Sequence, residues 1–425
     1  MRDFNHKIAQ IQPSASLVIM DKARTMQSEG AEIISLAGGE PDFVTPQRIC
    51  SAAKASMDDG NTHYVAGKGI LPLREAVCHK LQTENGIACT PENILITPGG
   101  KFGIYLALTA LLNPGDEALI MDPSWVSYAP IVQASGAVPV GIGLSFADDY
   151  QITREKLETA CTERTKVLIV NSPNNPTGRM LNEKEVAVIA AFAKEKDLFI
   201  VADEIYEKIR YDNRAHFSLG AIPSIAEQVI TVNGFSKCVA MTGWRLGYVV
   251  ACQTIMKNMY RLYQHTATCV SGFAQTGALQ AFQCDQEIEE MRLQYARRRD
   301  FFVDGLNEIP GITCRKPEGA FYAWAKIEKD HMDSRELAEF ILDKAGVACV
   351  PGPAYGKGCE GFVRFSFANT DEDLHEALRR MKLAFSTGGE TPCMRHNCPA
   401  RLSHKRRGTK MMTCPFCLTG GETST

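Results

Sequence analysis

The chain has no uninterrupted apolar run approaching membrane-spanning length, and its opening stretch MRDFNHKIAQIQPSAS has no apolar core of signal-peptide length. From both absences a cytoplasmic protein is expected. An excess of either charge is also missing: 46 Lys and Arg stand against 49 Asp and Glu, a formal net charge of −3. That balance argues against a polyanion-binding surface, so neither nucleic acid nor a membrane is expected as a partner. Cysteine is plentiful at 15, but the paired spacing of a disulfide scaffold is lacking, because eleven thiols are scattered singly between residues 50 and 359 among apolar neighbours. They read as free thiols in a reducing compartment. With 45 % hydrophobic residues the chain is not a disordered one, and 425 residues exceed what one core usually holds. About two domains acting on a small molecule are expected.

What is present is alternation. After a serine-capped helix over 14–29 and a short strand in IISLAGGEPDF, residues 46–83 predict two helices around the loop NTHYVAGKGILP. Strand-like runs follow in NILIT, EALIM, VPVGI, KVLIVNSP, LFIVADE, QVITVNG and RLGYVVA, with helices in PGGKFGIYLALTALL, PSWVSYAPIVQASG and NEKEVAVIAAFAKEKD. Such order predicts an α/β fold, a large domain whose mostly parallel sheet is sandwiched by helices. From residue 254 a long helical stretch leads into the strands AFYAWAKI, VACVPG and FVRFSFA and a last helix, a smaller α+β domain. The expected divisions are an N-terminal arm and helix joining the small domain (1–45), a large domain (46–285), a small C-terminal domain (286–386) and a basic tail (387–425).

Buried strands in such a sheet end at a common rim, where α/β folds hold ligands. Three ends carry polar groups: Asn175 after VLIV, Asp203 and Tyr206 after LFIVA, and Ser236 and Lys237 after VITV, with Arg245 close behind. An aspartate emerging from so apolar a run needs a cation. One reading is a structural ion pair with Lys237 or Arg245. The other brings the cation with a ligand, a protonated pyridine nitrogen on a ring whose aldehyde carbon is bonded to Lys237, which describes pyridoxal phosphate. Its phosphate would sit on the backbone N–H groups of Gly99 and Gly100 at a helix start, with Ser236 and Arg245 completing the cradle. Cys238, with no adjacent histidine, is not expected to be a nucleophile.

The stretch GFSKCVAMTGWRLG resembles the lysine-attachment motif of the class I aminotransferases, pyridoxal-phosphate enzymes of fold type I. SLAGGEPDF, GGK, NSPNNPTG, ADEIYE and VRFSFA resemble the family's other landmarks in the same order, over about residues 1 to 385, and most resemble its bacterial and archaeal aspartate aminotransferase branch. The resemblance implies that Lys237 carries the cofactor and serves as general base, that Asp203 partners the pyridine nitrogen, and that Asn175 and Tyr206 bond the ring's phenolic oxygen. It implies that Trp125 stacks on the ring, that Gly99, Gly100, Lys101, Ser236 and Arg245 lie at or beside the phosphate, and that Tyr64 reaches the phosphate of a neighbouring subunit in a homodimer with shared sites. Arg364, helped by the backbone near Gly39, would grip the substrate's α-carboxylate, and Lys101 would face a distal carboxylate, favouring aspartate or glutamate in a ping-pong exchange with a 2-oxo acid. Ser16 stands where relatives commonly have threonine. The competing enzyme reading is a pyridoxal-phosphate C–S or other β/γ-lyase on the same fold.

The resemblance stops short of the tail. There Cys393, Cys398, Cys414 and Cys417, with His396 and His404 between them, have a spacing that suits a tetrahedral zinc site. A solvated basic tail with incidental thiols is the plainer alternative, and no metal is expected in the body of the chain.

Overall fold

A computed structural model describes residues 6–9 and 11–386, so the four tail cysteines and the two tail histidines lie outside the described residues. The helix Ala15–Ser28 leads into β1 (Ile34–Ser35). Ser14 does mark that helix's start, but its side chain makes no capping hydrogen bond and lines the central cavity instead, so the expected cap is one of position only.

The seven strands that follow are β2 (Ile94–Thr97), β3 (Glu117–Asp122), β4 (Val138–Gly143), β5 (Thr165–Asn171), β6 (Phe199–Asp203), β7 (Val229–Gly234) and β8 (Gly247–Val250). They form one sheet in the order β2-β8-β7-β6-β5-β3-β4, in which β8 alone runs against the rest. Alternate residues of a strand face opposite sides. On β6, Val201 packs on one face with Ile104 and Leu108 of the helix Gly100–Leu111, while Ile200 and Ala202 pack on the other with Ile189 and Phe192 of the helix Glu183–Glu195. Both faces are therefore apolar, which is why these strands read as continuous hydrophobic runs. A reciprocal cap between Asn182 and Glu185 fixes where the second helix begins.

A smaller antiparallel sheet, ordered β12-β13-β10-β9, is built from β9 (Ile312–Cys314), β10 (Tyr322–Ile327), β12 (Val350–Pro351) and β13 (Phe362–Ser366). Tyr295, Phe302 and Leu306 of the helix Asp285–Asn307 and Leu374 and Met381 of the helix Asp371–Ser386 close its core around Phe321 and Phe365. Strand β11 (Val347–Ala348) pairs in parallel with β1, and the Ser366 amide donates to the Leu36 carbonyl at 2.7 Å, which ties the chain's first strand to this smaller core.

Three expectations change. The helical stretch from 254 is three helices, Gln253–Thr266, Gly272–Ala278 and Asp285–Asn307, the first break falling where Thr268 takes φ +63°, a conformation that stops a helix. The helix expected from PSWVSYAP begins only at Tyr128, because Pro130 fits nowhere but the first turn. VACVPG is two short strands, β11 and β12. Among the described residues no helix is long and apolar enough to cross a membrane.

Candidate active site

Strand register assembles the site. Asn171 pairs with Asp203 and Asp203 with Val232, so the last residues of β5 and β6 lie side by side, next to β7 two residues before its end. The Asn171 amide bonds the Asp203 carbonyl at 3.0 Å and accepts from the Asn175 N–H at 2.9 Å, holding the loop after β5 against the end of β6. Above this rim lies a cavity of about 410 Å³ between the large sheet and the smaller one. Four cations line it, Lys101, Lys237, Arg245 and Arg364, against the carboxylates of Glu40 and Asp203. That surplus suits an anionic ligand.

Asp203 is 6 % exposed. Burial pushes its carboxyl up to about 6, opposed by a 2.7 Å hydrogen bond from the Tyr128 hydroxyl and a 3.2 Å bond from the Ile205 amide. No cation among the described residues is within ion-pair reach of it. Lys237 is likewise without a carboxylate partner; its ammonium donates to the Gly39 carbonyl, and burial lowers it to about 8, helped by Arg364 and Arg245 and opposed by Glu40. An amine so placed is partly neutral near physiological pH, which a nucleophile or general base requires. Neither of the structural ion pairs considered for Asp203 forms. The neighbouring Cys238 thiol is pushed up to about 12 by burial and is inert. Tyr206 is buried, its hydroxyl 2.7 Å from that of Tyr322.

Glycines line the end of the cavity beside Arg245. Gly99, at φ +79°, precedes the helix Gly100–Leu111, and a Cβ there would sit 2.6 Å from the Arg245 guanidinium. The backbone can be approached closely only because no side chain intervenes. Beneath, Gly247 faces Gly234 across the β7–β8 pair, and a Cβ on Gly247 would meet the Gly100 nitrogen at 2.6 Å. Ser236 lines the cavity beside them.

Arg364, in the middle of β13, reaches the cavity from the smaller sheet. It is 3 % exposed, stacks over the Tyr322 ring at 4.3 Å, and donates to Asn175 Oδ1 at 3.0 Å and to the Ala37 carbonyl at 2.7 Å. Its Nε has no hydrogen-bond partner, and among the described residues no carboxylate pairs with it. At Gly39 a Cβ would lie 2.9 Å from the Tyr322 hydroxyl, so any larger residue would force that hydroxyl to shift. Lys101 stands over the Trp125 ring at 4.9 Å, its basicity lowered by burial and by Arg245.

The cavity thus collects Lys237, Asp203, Tyr206, Asn175, Trp125, Gly100, Lys101, Ser236, Arg245, Arg364 and Gly39, with Gly99 directly under the Arg245 guanidinium. Tyr64 is not among them; it is 87 % exposed on a surface loop. Sequence reasoning missed Tyr128, Tyr322, Glu40 and Asn171. The available signal for Asn171 was a polar side chain ending an apolar strand.

Residues 31–381 match the family model described as aminotransferase class I and II. The chain is 43 % identical to an aspartate aminotransferase of Musicola paradisiaca over 89 % of its own length and 95 % of that protein's, and 40 % identical to an aromatic-amino-acid aminotransferase of Thermococcus litoralis over 88 % and 96 %. Among solved structures it is similar to the aspartate aminotransferase of Thermus thermophilus with maleate, with a TM-score of 0.86 at 36 % identity, covering 90 % of this chain and 100 % of that one. With the mostly parallel sheet and the smaller second sheet, these likenesses establish fold type I and a transaminase of the aspartate aminotransferase type. The chain belongs to the class I and II aminotransferase family.

Proposed function

We propose that the cofactor is pyridoxal 5'-phosphate and that the reaction moves the amino group of aspartate or glutamate to a 2-oxo acid in a ping-pong cycle. The carrying observation is a buried carboxylate lacking a cation, Asp203, in one cavity with a buried amine lacking an anion, Lys237. The cofactor fits both gaps: its pyridinium would answer Asp203 and its aldehyde Lys237, while the bare Gly99–Gly100 turn, Ser236 and Arg245 would hold its phosphate. When bound, it supplies an electron sink for the carbanion at the substrate's Cα.

The chain's own residues do the rest. Arg364 takes the α-carboxylate in a bidentate grip, for which its unpartnered Nε is free. Asn175 and Tyr206 would bond the ring's phenolic oxygen and Trp125 would cover its face, since all three line the cavity. Lys237, when free and neutral, would take the Cα proton and deliver it to the carbon on the far side of the substrate nitrogen, while Asp203 would stay ionised. Lys101, over the Trp125 ring, would meet a distal carboxylate, a reading supported by the names of the aspartate aminotransferase relatives. In the same reading residues 1–45, 46–285 and 286–386 act as arm, cofactor domain and closing domain of a homodimer, and the exposed Tyr64 completes the partner's phosphate site.

Adding pyridoxal phosphate to the purified protein, followed by borohydride, is expected to label the peptide carrying Lys237. In a separate sample of the loaded protein, never treated with borohydride, aspartate alone should release one equivalent of 2-oxo acid and stop until a second 2-oxo acid is supplied. Continuous turnover without an acceptor would refute the transfer.

A further inference from the structure

Tyr128 is the first residue of the helix Tyr128–Ala134 and is 1 % exposed. Its ring packs edge-on against Trp125 with centroids 5.2 Å apart, and its hydroxyl donates to Asp203 Oδ2 at 2.7 Å. The other oxygen, Oδ1, takes the Ile205 amide at 3.2 Å, so each oxygen holds one donor and keeps lone pairs for a ligand. We propose that Tyr128 is a positioning residue for amino transfer, its phenol fixing the rotamer of the Asp203 carboxylate and favouring its ionised form. This rests on the reading of Asp203 as partner of the cofactor's ring nitrogen.

The surroundings explain why a phenol is needed. Burial drives Asp203 toward its neutral form, the Glu204 carboxylate adds to that drive, and Lys237 opposes it only weakly because its ammonium is turned to Gly39. Tyr206, also facing this carboxylate, bonds Tyr322 instead. The strongest donor to Asp203 is therefore Tyr128. Burial, with the Asp203 charge, also raises the phenol well above its ordinary range, so it stays protonated and cannot reverse its role. A neutral carboxyl would offer a proton where the pyridinium needs a charge.

Tyr128→Phe keeps the ring against Trp125 and deletes only the hydroxyl. The test is an infrared titration of the full-length protein before pyridoxal phosphate is added, with Asp203→Asn identifying the carboxyl band. A hydrogen bond to a charged group predicts a rise of about one to two pH units in the Asp203 midpoint for Tyr128→Phe. A 3-fluorotyrosine at 128, a stronger donor of nearly the same size, should move it down. After loading, kcat for aspartate is expected to fall about tenfold or more in Tyr128→Phe while KM changes little, since Arg364 is untouched. An unchanged midpoint in the fluorotyrosine protein and in Tyr128→Phe of unaltered Tm would reduce Tyr128 to packing. Because the titration needs no cofactor, a protein that failed to bind pyridoxal phosphate would sink the functional reading and leave this test standing.

Discussion

Asp203 and Glu207 lie four residues apart and are equally buried, each 6 % exposed, yet they are held in opposite states. Asp203 is driven up to about 6 by desolvation. Glu207, for which burial acts in the same direction, is instead pulled down to about 2 by the Lys80 ammonium, by His216 and by the Asn85 amide at 2.7 Å. Each has a lysine nearby. Lys80 is bonded to its carboxylate, whereas Lys237 is turned away to a carbonyl. Behind the segment 203–207 the charges are closed on themselves, with Glu204 taking His216 at 3.0 Å and Ser218 at 2.7 Å; in front, the Asp203 carboxylate and the Lys237 amine are left without an ion-pair partner. Burial alone therefore does not separate a carboxylate closed within the chain from one left open to a ligand. What separates them is whether the counter-charge belongs to the chain.

The contrast can be broken from either side. Lys237→Ala removes the free amine, and the rate of amino transfer is expected to fall on the order of 10³-fold with the fold's Tm preserved; wild-type rates would mean the open side is not the chemical one. On the closed side, Lys80→Met strands Glu207 and should cost about 3–5 kcal/mol in urea unfolding, with no such loss when Glu207→Leu is added.

Asp203→Asn tests the sign of the open side. The folded chain favours the neutral Asp203 carboxyl, so ionisation costs stability, a cost absent below the unfolded value near 4 and fully present above about 6. The cofactor-free variant is thus expected to be more stable than the parent at pH 7.5, by on the order of 2–3 kcal/mol, and equal to it near pH 4. Equal stability at both would show that the carboxylate is already satisfied. Smallest is Lys101→Gln, expected to lower kcat/KM for aspartate about tenfold relative to that for phenylalanine.

The sheet was legible because β5, β6 and β7 are apolar on both faces, and Lys237, Asp203 and Asn175 because polar groups at the ends of such strands need an explanation. Arg364 came from the likeness of VRFSFA to a family motif rather than from any local signal. Tyr128 and Tyr322 were not legible: in sequence they are aromatics in apolar stretches, and their hydroxyl partners lie 75 and 116 positions away. Lys80 and Glu207, 127 positions apart, were hidden for the same reason, since a helix lysine ordinarily reads as solvated. Tyr64 sits outside this chain's own cavity, on the surface.

Gly234 and Gly247, paired where β7 and β8 part, pinch residues 235–246 into a closed ring of chain. Ser236, Lys237, Thr242 and Arg245 all hang from that ring, and its neck is pressed against the Gly99–Gly100 turn with no side chain to act as a cushion. The spacing between the Lys237 amine and the Arg245 guanidinium is accordingly gauged by the length of this ring of chain. Adding or deleting one residue in it would displace the two side chains relative to each other, even with both retained.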